Sequence, residues 1–318
     1  MANFSREEIR KGLSGPVFPI LTPFTEDGNE IDHEALSSYV NFLVSCDAGS
    51  IMTTVGTSRF NLLTDDEIMQ VNRTVVQASS KNTITIVAGP LTGNLNTNIR
   101  LAKDAEESGA DAYIAFFPER WYGNDVIIEF FKSLSESVSI AIMIHETPIK
   151  SGYGGHTQYP LELLERLFNL PGVVGLKEEC MDGGYAYKLH RRLEGKCAII
   201  GAGAMRNFMR DFHAGAQANL VGVGSFFPKV EMAFQEALKA GNFDRAHVIV
   251  RKYEDPYFDV AVELGWHPQL KETLHILGLM PPFERHPLPR LDNEQQKRLR
   301  ECLESLGWLD LKFDHIPE

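Results

Sequence analysis

The sequence predicts a (β/α)₈ TIM barrel followed by a C-terminal helical appendage, and three observations lead there. Short β-rich runs alternate with longer amphipathic stretches over roughly the first 240 residues. The runs are continuously apolar rather than alternating, as strands buried on both faces of a parallel sheet require. They number eight, which suits a closed barrel better than an open doubly wound sheet.

The first strand is Pro16–Phe24, ahead of a helix over His33–Ser45. Ser50–Val55 is the second strand. Its helix is announced by Thr64 and Glu67, a capping box in which each side chain satisfies the other's end of the backbone. Thr83–Gly89 precedes a helix from Asn96 to Ser108, and Ala112–Phe117 precedes Val126–Ser137. Ser139–His145 leads to Leu161–Phe168, and Gly172–Lys177 to Tyr185–Leu193. Cys197–Gly203 comes before Met205–Ala214, and Ala218–Gly224 before Lys229–Ala240. Residues 1–240 are thus read as the barrel and 241–318 as an extension packed on it. That extension reads as helices interrupted by Pro281–Leu291, too short and too helical for a second α/β domain.

At 318 residues and 43% hydrophobic, the chain holds enough apolar material for a sizeable core. A net charge of −12 argues against nucleic acid or an anionic membrane as partner, since both attract Lys/Arg clusters. An acidic small molecule stays possible, because a local pocket can be basic. The opening MANFSREEIRKGL lacks the apolar core of a secretory signal, and no run approaches a membrane span. Cys46, Cys180, Cys197 and Cys302 are scattered without C-x-x-C spacing, so the expectation is a cytoplasmic protein without disulfides or zinc. Cys180 reads as packing in preference to a nucleophile.

In an α/β barrel the reacting groups collect where strands end. After the second strand come Gly56, Thr57 and Ser58, a glycine turn with two hydroxyls that can hold a carboxylate. Such turns also commonly just cap a helix. The fifth strand ends in His145-Glu146-Thr147-Pro148, followed by Lys150-Ser151-Gly152. The sixth ends in Lys177, directly after Val173-Val174-Gly175-Leu176. A lysine closing a buried apolar strand either snorkels to the rim or gives up its proton, and a neutral amine attacks carbonyls.

With these residues in order, the chain from Pro16 to Trp308 resembles the dihydrodipicolinate synthase / N-acetylneuraminate lyase superfamily. Gly56-Thr57-Ser58 matches that family's Gly-Thr-Thr/Ser turn, and Gly175-Leu176-Lys177-Glu178 its Gly-[Ile/Leu]-Lys-[Glu/Asp] motif. His145 through Gly152 matches its Tyr-Asn-x-Pro-x-x-[ST]-Gly segment. Gly215 to Pro228 is similar to the sugar-acid dehydratase branch, and Lys271–Leu279 with Arg290-Leu291 fits the tail. The resemblance implies that Lys177 forms an imine with a 2-oxo acid. It further implies that Gly56, Thr57 and Ser58 seat the carboxylate and that Leu220, or a neighbour, lends a backbone carbonyl.

Departures from the pattern matter as much. His145 replaces the family's proton-relaying tyrosine; it is read as a general acid–base, against the alternative of a hydrogen-bonded core histidine. Lys150 stands where the synthase branch has a carboxylate-binding arginine, and the two are not equivalent in bidentate recognition. Arg59 has two readings, binding a substrate's distal end or pairing with Asp65 or Asp66. Tyr122 is a candidate to recover the role of a tyrosine missing after the fourth strand.

The lone Gly201-Ala202-Gly203 lacks the rest of a dinucleotide fingerprint, and no histidine spacing suggests a metal. Met205, Phe208, Met209 and Phe212 read as core. The imine is its own electron sink, so no cofactor is expected. The resemblance therefore implies a lyase, foremost a 2-keto-3-deoxy sugar-acid dehydratase or aldolase, working as a dimer or tetramer. The alternatives are an N-acetylneuraminate lyase-like or dihydrodipicolinate synthase-like enzyme, an aromatic-aldehyde-releasing aldolase, or a catalytically silent keto-acid-binding barrel.

Overall fold

The computed structural model describes residues 2–116, 123–146, 159–180, 182–201 and 203–317. Among these, eight parallel strands close into a barrel in chain order. They are β1 (Gly15–Ile20), β2 (Ser50–Thr53), β3 (Ile84–Ala88), β4 (Ala112–Ala115), β5 (Ala141–His145), β6 (Val173–Lys177), β7 (Ala198–Gly201) and β8 (Ala218–Leu220). The ring closes where Gly15, Pro16 and Val17 pair with Ala218, Asn219 and Leu220. Nearly every strand residue is buried, which is why the runs carry no polar alternation.

A helix absent from the sequence reading, α1 (Arg6–Gly12), precedes β1 and is started by a Ser5/Glu8 capping box. It covers the end of the barrel where the strands begin. Ile9 is fully buried there, and the Arg6 guanidinium donates to the carbonyls of Ile140 and Ser135 at 3.0 and 2.9 Å. The strand C-termini are left to carry the chemistry.

Helices α2 (His33–Ser45), α3 (Asp65–Ala78), α4 (Leu95–Ser108), α5 (Asn124–Glu136), α6 (Leu161–Phe168), α7 (Gly183–Leu193), α8 (Met205–Phe212) and α9 (Pro228–Lys239) form the outer layer. The Thr64/Glu67 capping box is present at α3. Strand β8 is shorter than its apolar run, because Val223–Ser225 turns into a single 3₁₀ turn.

The extension continues through α10 (Phe243–Ile249), a π-helical turn at Val250–Glu254, α11 (Asp255–Leu264), α12 (Trp266–Ile276) and α13 (Asn293–Ser305). Trp308 nails it down, its ring 5.2 Å from Phe227 and 5.2 Å from Tyr257. The π turn has a structural use. Ala204 at the start of α8 offers no side-chain cap, and Glu254 accepts the N–H groups of Met205 and Arg206 instead. No described helix is long and apolar enough to cross a membrane.

Glu231 on α9 is buried beneath β8 and accepts from Asn219 at 3.0 Å. Burial pushes its carboxyl from 4.5 up to about 8. The folded state thus keeps a proton that the unfolded chain releases. Its stabilising contribution is complete below about pH 4.5 and is lost as the pH rises through about 8. Glu231→Gln has no proton to lose, so it should gain on the parent by about 1.4 kcal/mol per pH unit across that window. Chemical denaturation of both proteins at several pH values checks this; a difference that ignores pH would contradict it.

Candidate active site

Lys177 is the last residue of β6 and lies in register beside His145, the last residue of β5. Only 1% of the lysine is exposed. Its Nζ donates to the Glu178 carbonyl at 2.7 Å and sits 3.4 Å from Glu179 Oε1. The same carboxylate oxygen lies 3.2 Å from His145 Nε2. The imidazole stacks on Phe116, with ring centroids 4.1 Å apart and planes 29° from parallel. Glu179 thus joins the two residues nominated from sequence, and sequence reasoning missed it.

A cavity of about 400 Å³ opens here, its wall including Thr57, Phe116, His145, Glu179, Leu220 and His267. Lys177 is not part of the wall. Its amine is turned onto Glu178 and Glu179, and Glu179 links it to the cavity. Leu220 closes β8, four residues short of the expected strand end, and borders the cavity, with its carbonyl on the side of Gly203.

The turn after β2 is built differently from the expectation. Ser58 is fully buried; its hydroxyl accepts the Thr54 N–H at 2.8 Å and donates to the Ile20 carbonyl. Its carbonyl takes the Thr22 hydroxyl at 2.6 Å. Ser58 therefore fastens the turn to the end of β1 rather than offering its hydroxyl to a ligand. The Thr57 hydroxyl and the Gly56 N–H make no hydrogen bond among the described residues, and both residues line the cavity. Gly56 does not need glycine for its backbone angles. An added Cβ would come within 3.1 Å of His267 Nε2, so the extension packs tightly against this glycine.

Arg59 does not pair with Asp65 or Asp66; it makes a buried ion pair that the sequence did not suggest. The arginine is 2% exposed and left-handed in backbone, at φ +61°. Its Nη2 donates to Glu284 at 2.6 Å and to the His267 carbonyl at 3.0 Å. Nε also faces Glu284, while Nη1 donates to the Thr57 carbonyl at 3.1 Å. Asp65 and Asp66 pair with Arg100 instead. Although Arg59 borders the cavity, its donors are committed to holding the turn. Lys150 and Tyr122 lie outside the described residues.

Burial sets the nearby charges. Beside the cavity, it pushes the His267 imidazole down to about 4, with Arg59 adding to the effect. His267 is accordingly neutral at neutral pH. On the helix side, burial raises the Glu146 carboxyl to about 7, against the opposing hydrogen bonds from the Tyr159 N–H and the Tyr185 hydroxyl. The Cys180 thiol is pushed up to about 11 by burial, which agrees with packing rather than nucleophilic use.

Glu178, His190 and Asp211 bring potential metal-ligand atoms within 4.8 Å of one another, all buried. Arg210 already spans both oxygens of Asp211 at 2.7 and 2.8 Å, so part of that charge is answered within the chain.

The model of the Dihydrodipicolinate synthetase family matches residues 12–306, nearly the whole chain. The chain belongs to that family. Within the dihydrodipicolinate synthetase family, it is 28% identical to the 4-hydroxy-tetrahydrodipicolinate synthase of Alcanivorax borkumensis, covering 94% of this chain and 100% of that one. A prophage protein of the dihydrodipicolinic acid synthase family from E. coli K12, solved with pyruvate, superposes with a TM-score of 0.82 at 18% identity. That match covers 93% of this chain and 99% of the other. N-acetylneuraminate lyase from Fusobacterium nucleatum gives a TM-score of 0.82 at 16% identity, covering 92% and 98%. Family membership makes this chain a lyase-type enzyme of the class I aldolase kind.

Proposed function

We propose that the chain is a Schiff-base-forming lyase acting on a 2-oxo acid, foremost a 2-keto-3-deoxy sugar-acid dehydratase or aldolase. The observation that carries this is that His145, Glu179 and the Thr57 turn line one cavity, with Lys177 behind the wall in contact with Glu179. In this reading the ketone's carboxylate sits on the Thr57 hydroxyl and Gly56 N–H. The Lys177 amine adds to C2, and loss of water leaves a protonated imine that withdraws electrons. His145 then moves the proton at C3 or at the C4 hydroxyl.

The cavity lining supports a polyhydroxylated rather than a doubly anionic substrate. Asn61 and the neutral His267 suit hydroxyl groups, and the one described cation bordering the cavity, Arg59, is sealed onto Glu284. The relatives' names favour a second reading, a synthase condensing pyruvate with another carboxylate-bearing substrate. That reading needs a cation, for which Lys150 is the candidate. A homo-oligomer, dimer or tetramer, completes the proposal, and light scattering tests it.

A panel of 2-oxo acids separates the activities. Loss of water with a new oxo product marks a dehydratase, and released pyruvate marks an aldolase. Turnover only when pyruvate and a second acid are both supplied marks the synthase. Tight binding without any turnover contradicts the enzyme reading.

A further inference from the structure

Three glutamates follow the ends of β5 and β6, and only one of them faces the cavity. Strand residues alternate sides, so Lys177 and Glu179 share a face while Glu178 takes the other. Glu178 is fully buried, accepting the Cys180 N–H at 2.6 Å and lying 3.8 Å from His190 Nε2. Glu146 turns to Tyr159 and to the Tyr185 hydroxyl, 3.1 Å away. Glu179 is 32% exposed, lines the cavity and touches both Lys177 Nζ and His145 Nε2.

We propose that Glu179 is the catalytic base of this site, taking a substrate proton while His145 shares it. The proposal rests on the reading that Lys177 forms an imine with a 2-oxo acid. Once Nζ carries C2 of the substrate, a carboxylate in contact with Nζ is also within reach of the neighbouring C3. Its charge stabilises the iminium before the proton moves. The step balances without any further reagent. The C3–H bond breaks, its pair forms C2=C3, and the C2=N π pair settles on nitrogen as a neutral enamine. The proton passes to a Glu179 oxygen and on to His145. In a dehydration it leaves with the C4 hydroxyl as water. In a cleavage the same carboxylate takes the C4 hydroxyl proton as the C3–C4 bond breaks.

A carboxylate that merely steadied Lys177 would give different kinetics, and pyruvate serves as the probe for both steps. Borohydride trapping reports imine formation at Lys177, and exchange of the pyruvate methyl protons in D₂O, followed by NMR, reports proton abstraction. Glu179→Gln keeps the size and the contact but is not a base. Its partly exposed position makes folding safe, and thermal denaturation verifies it. The expected result is trapping at the parent rate with exchange slowed about 100-fold or more, and partial recovery in Glu179→Asp. Undiminished exchange in Glu179→Gln overturns the proposal, as does a parallel fall in trapping and exchange. If the parent protein itself is not trapped, the imine reading fails first and this base goes with it.

Discussion

Lys177→Met should lose turnover by on the order of 10⁴-fold or more while folding normally, because no second amine reaches the cavity among the described residues. The other buried lysine among the described residues, Lys271, donates to the carbonyls of Thr22 and Phe283 at 3.0 and 2.7 Å and pairs with Glu284. Methionine keeps most of the volume and carries no charge, so the barrel wall is filled. Glu179 retains His145 as its partner. Steady-state kinetics on whichever 2-oxo acid proves active, beside a thermal melt, give the answer. A normal melt with full activity would remove Lys177 from the mechanism.

The second large effect concerns stability, and it comes from the far end of the sequence. Arg59 and Glu284 are each 2% exposed and joined at 2.6 Å, with Lys271 3.2 Å from the other carboxylate oxygen. Removing one partner of a buried pair leaves an uncompensated charge, typically costing about 3–5 kcal/mol. Glu284→Gln should be the costlier single change, since it strands both Arg59 and Lys271. Arg59→Met leaves Glu284 with Lys271 and should fall toward the lower end. Because the two share one interaction, the double variant should cost less than the sum of the singles. Urea unfolding of the four proteins measures this. Arg59 also holds the Gly56 and Thr57 carbonyls, so Arg59→Met should raise KM for the 2-oxo acid. Strict additivity with an unchanged KM would show that the pair does not hold the turn.

Much of this architecture is legible in the order of the amino acids alone. Eight apolar runs in succession specify a closed parallel barrel, because strands covered on both faces leave no polar alternation. Lysine and histidine at the ends of two such runs are chemically out of place, and that makes Lys177 and His145 stand out. Helix α1 also announces itself through Ser5 and Glu8, yet so short a stretch ahead of the first strand reads as a tail.

The rest is illegible for identifiable reasons. Arg59 meets Glu284 across 225 positions, and no periodicity encodes such a contact, so the nearby Asp65 and Asp66 draw attention instead. The Ser58 hydroxyl is consumed by Thr54 and Ile20, which only the folded turn reveals. Glu179 is a different case, because a signal for it exists. It falls one residue beyond the matched Gly-Leu-Lys-Glu motif, but strand alternation alone puts it on the face of Lys177.

The central claim is covalent, and covalent capture tests it most directly. The protein is incubated with pyruvate, reduced with borohydride, digested and weighed peptide by peptide. The account predicts a stable pyruvate-derived mass addition on the peptide containing Lys177, absent without borohydride and absent in Lys177→Met. An unmodified Lys177 peptide from protein that turns over its 2-oxo acid would contradict it.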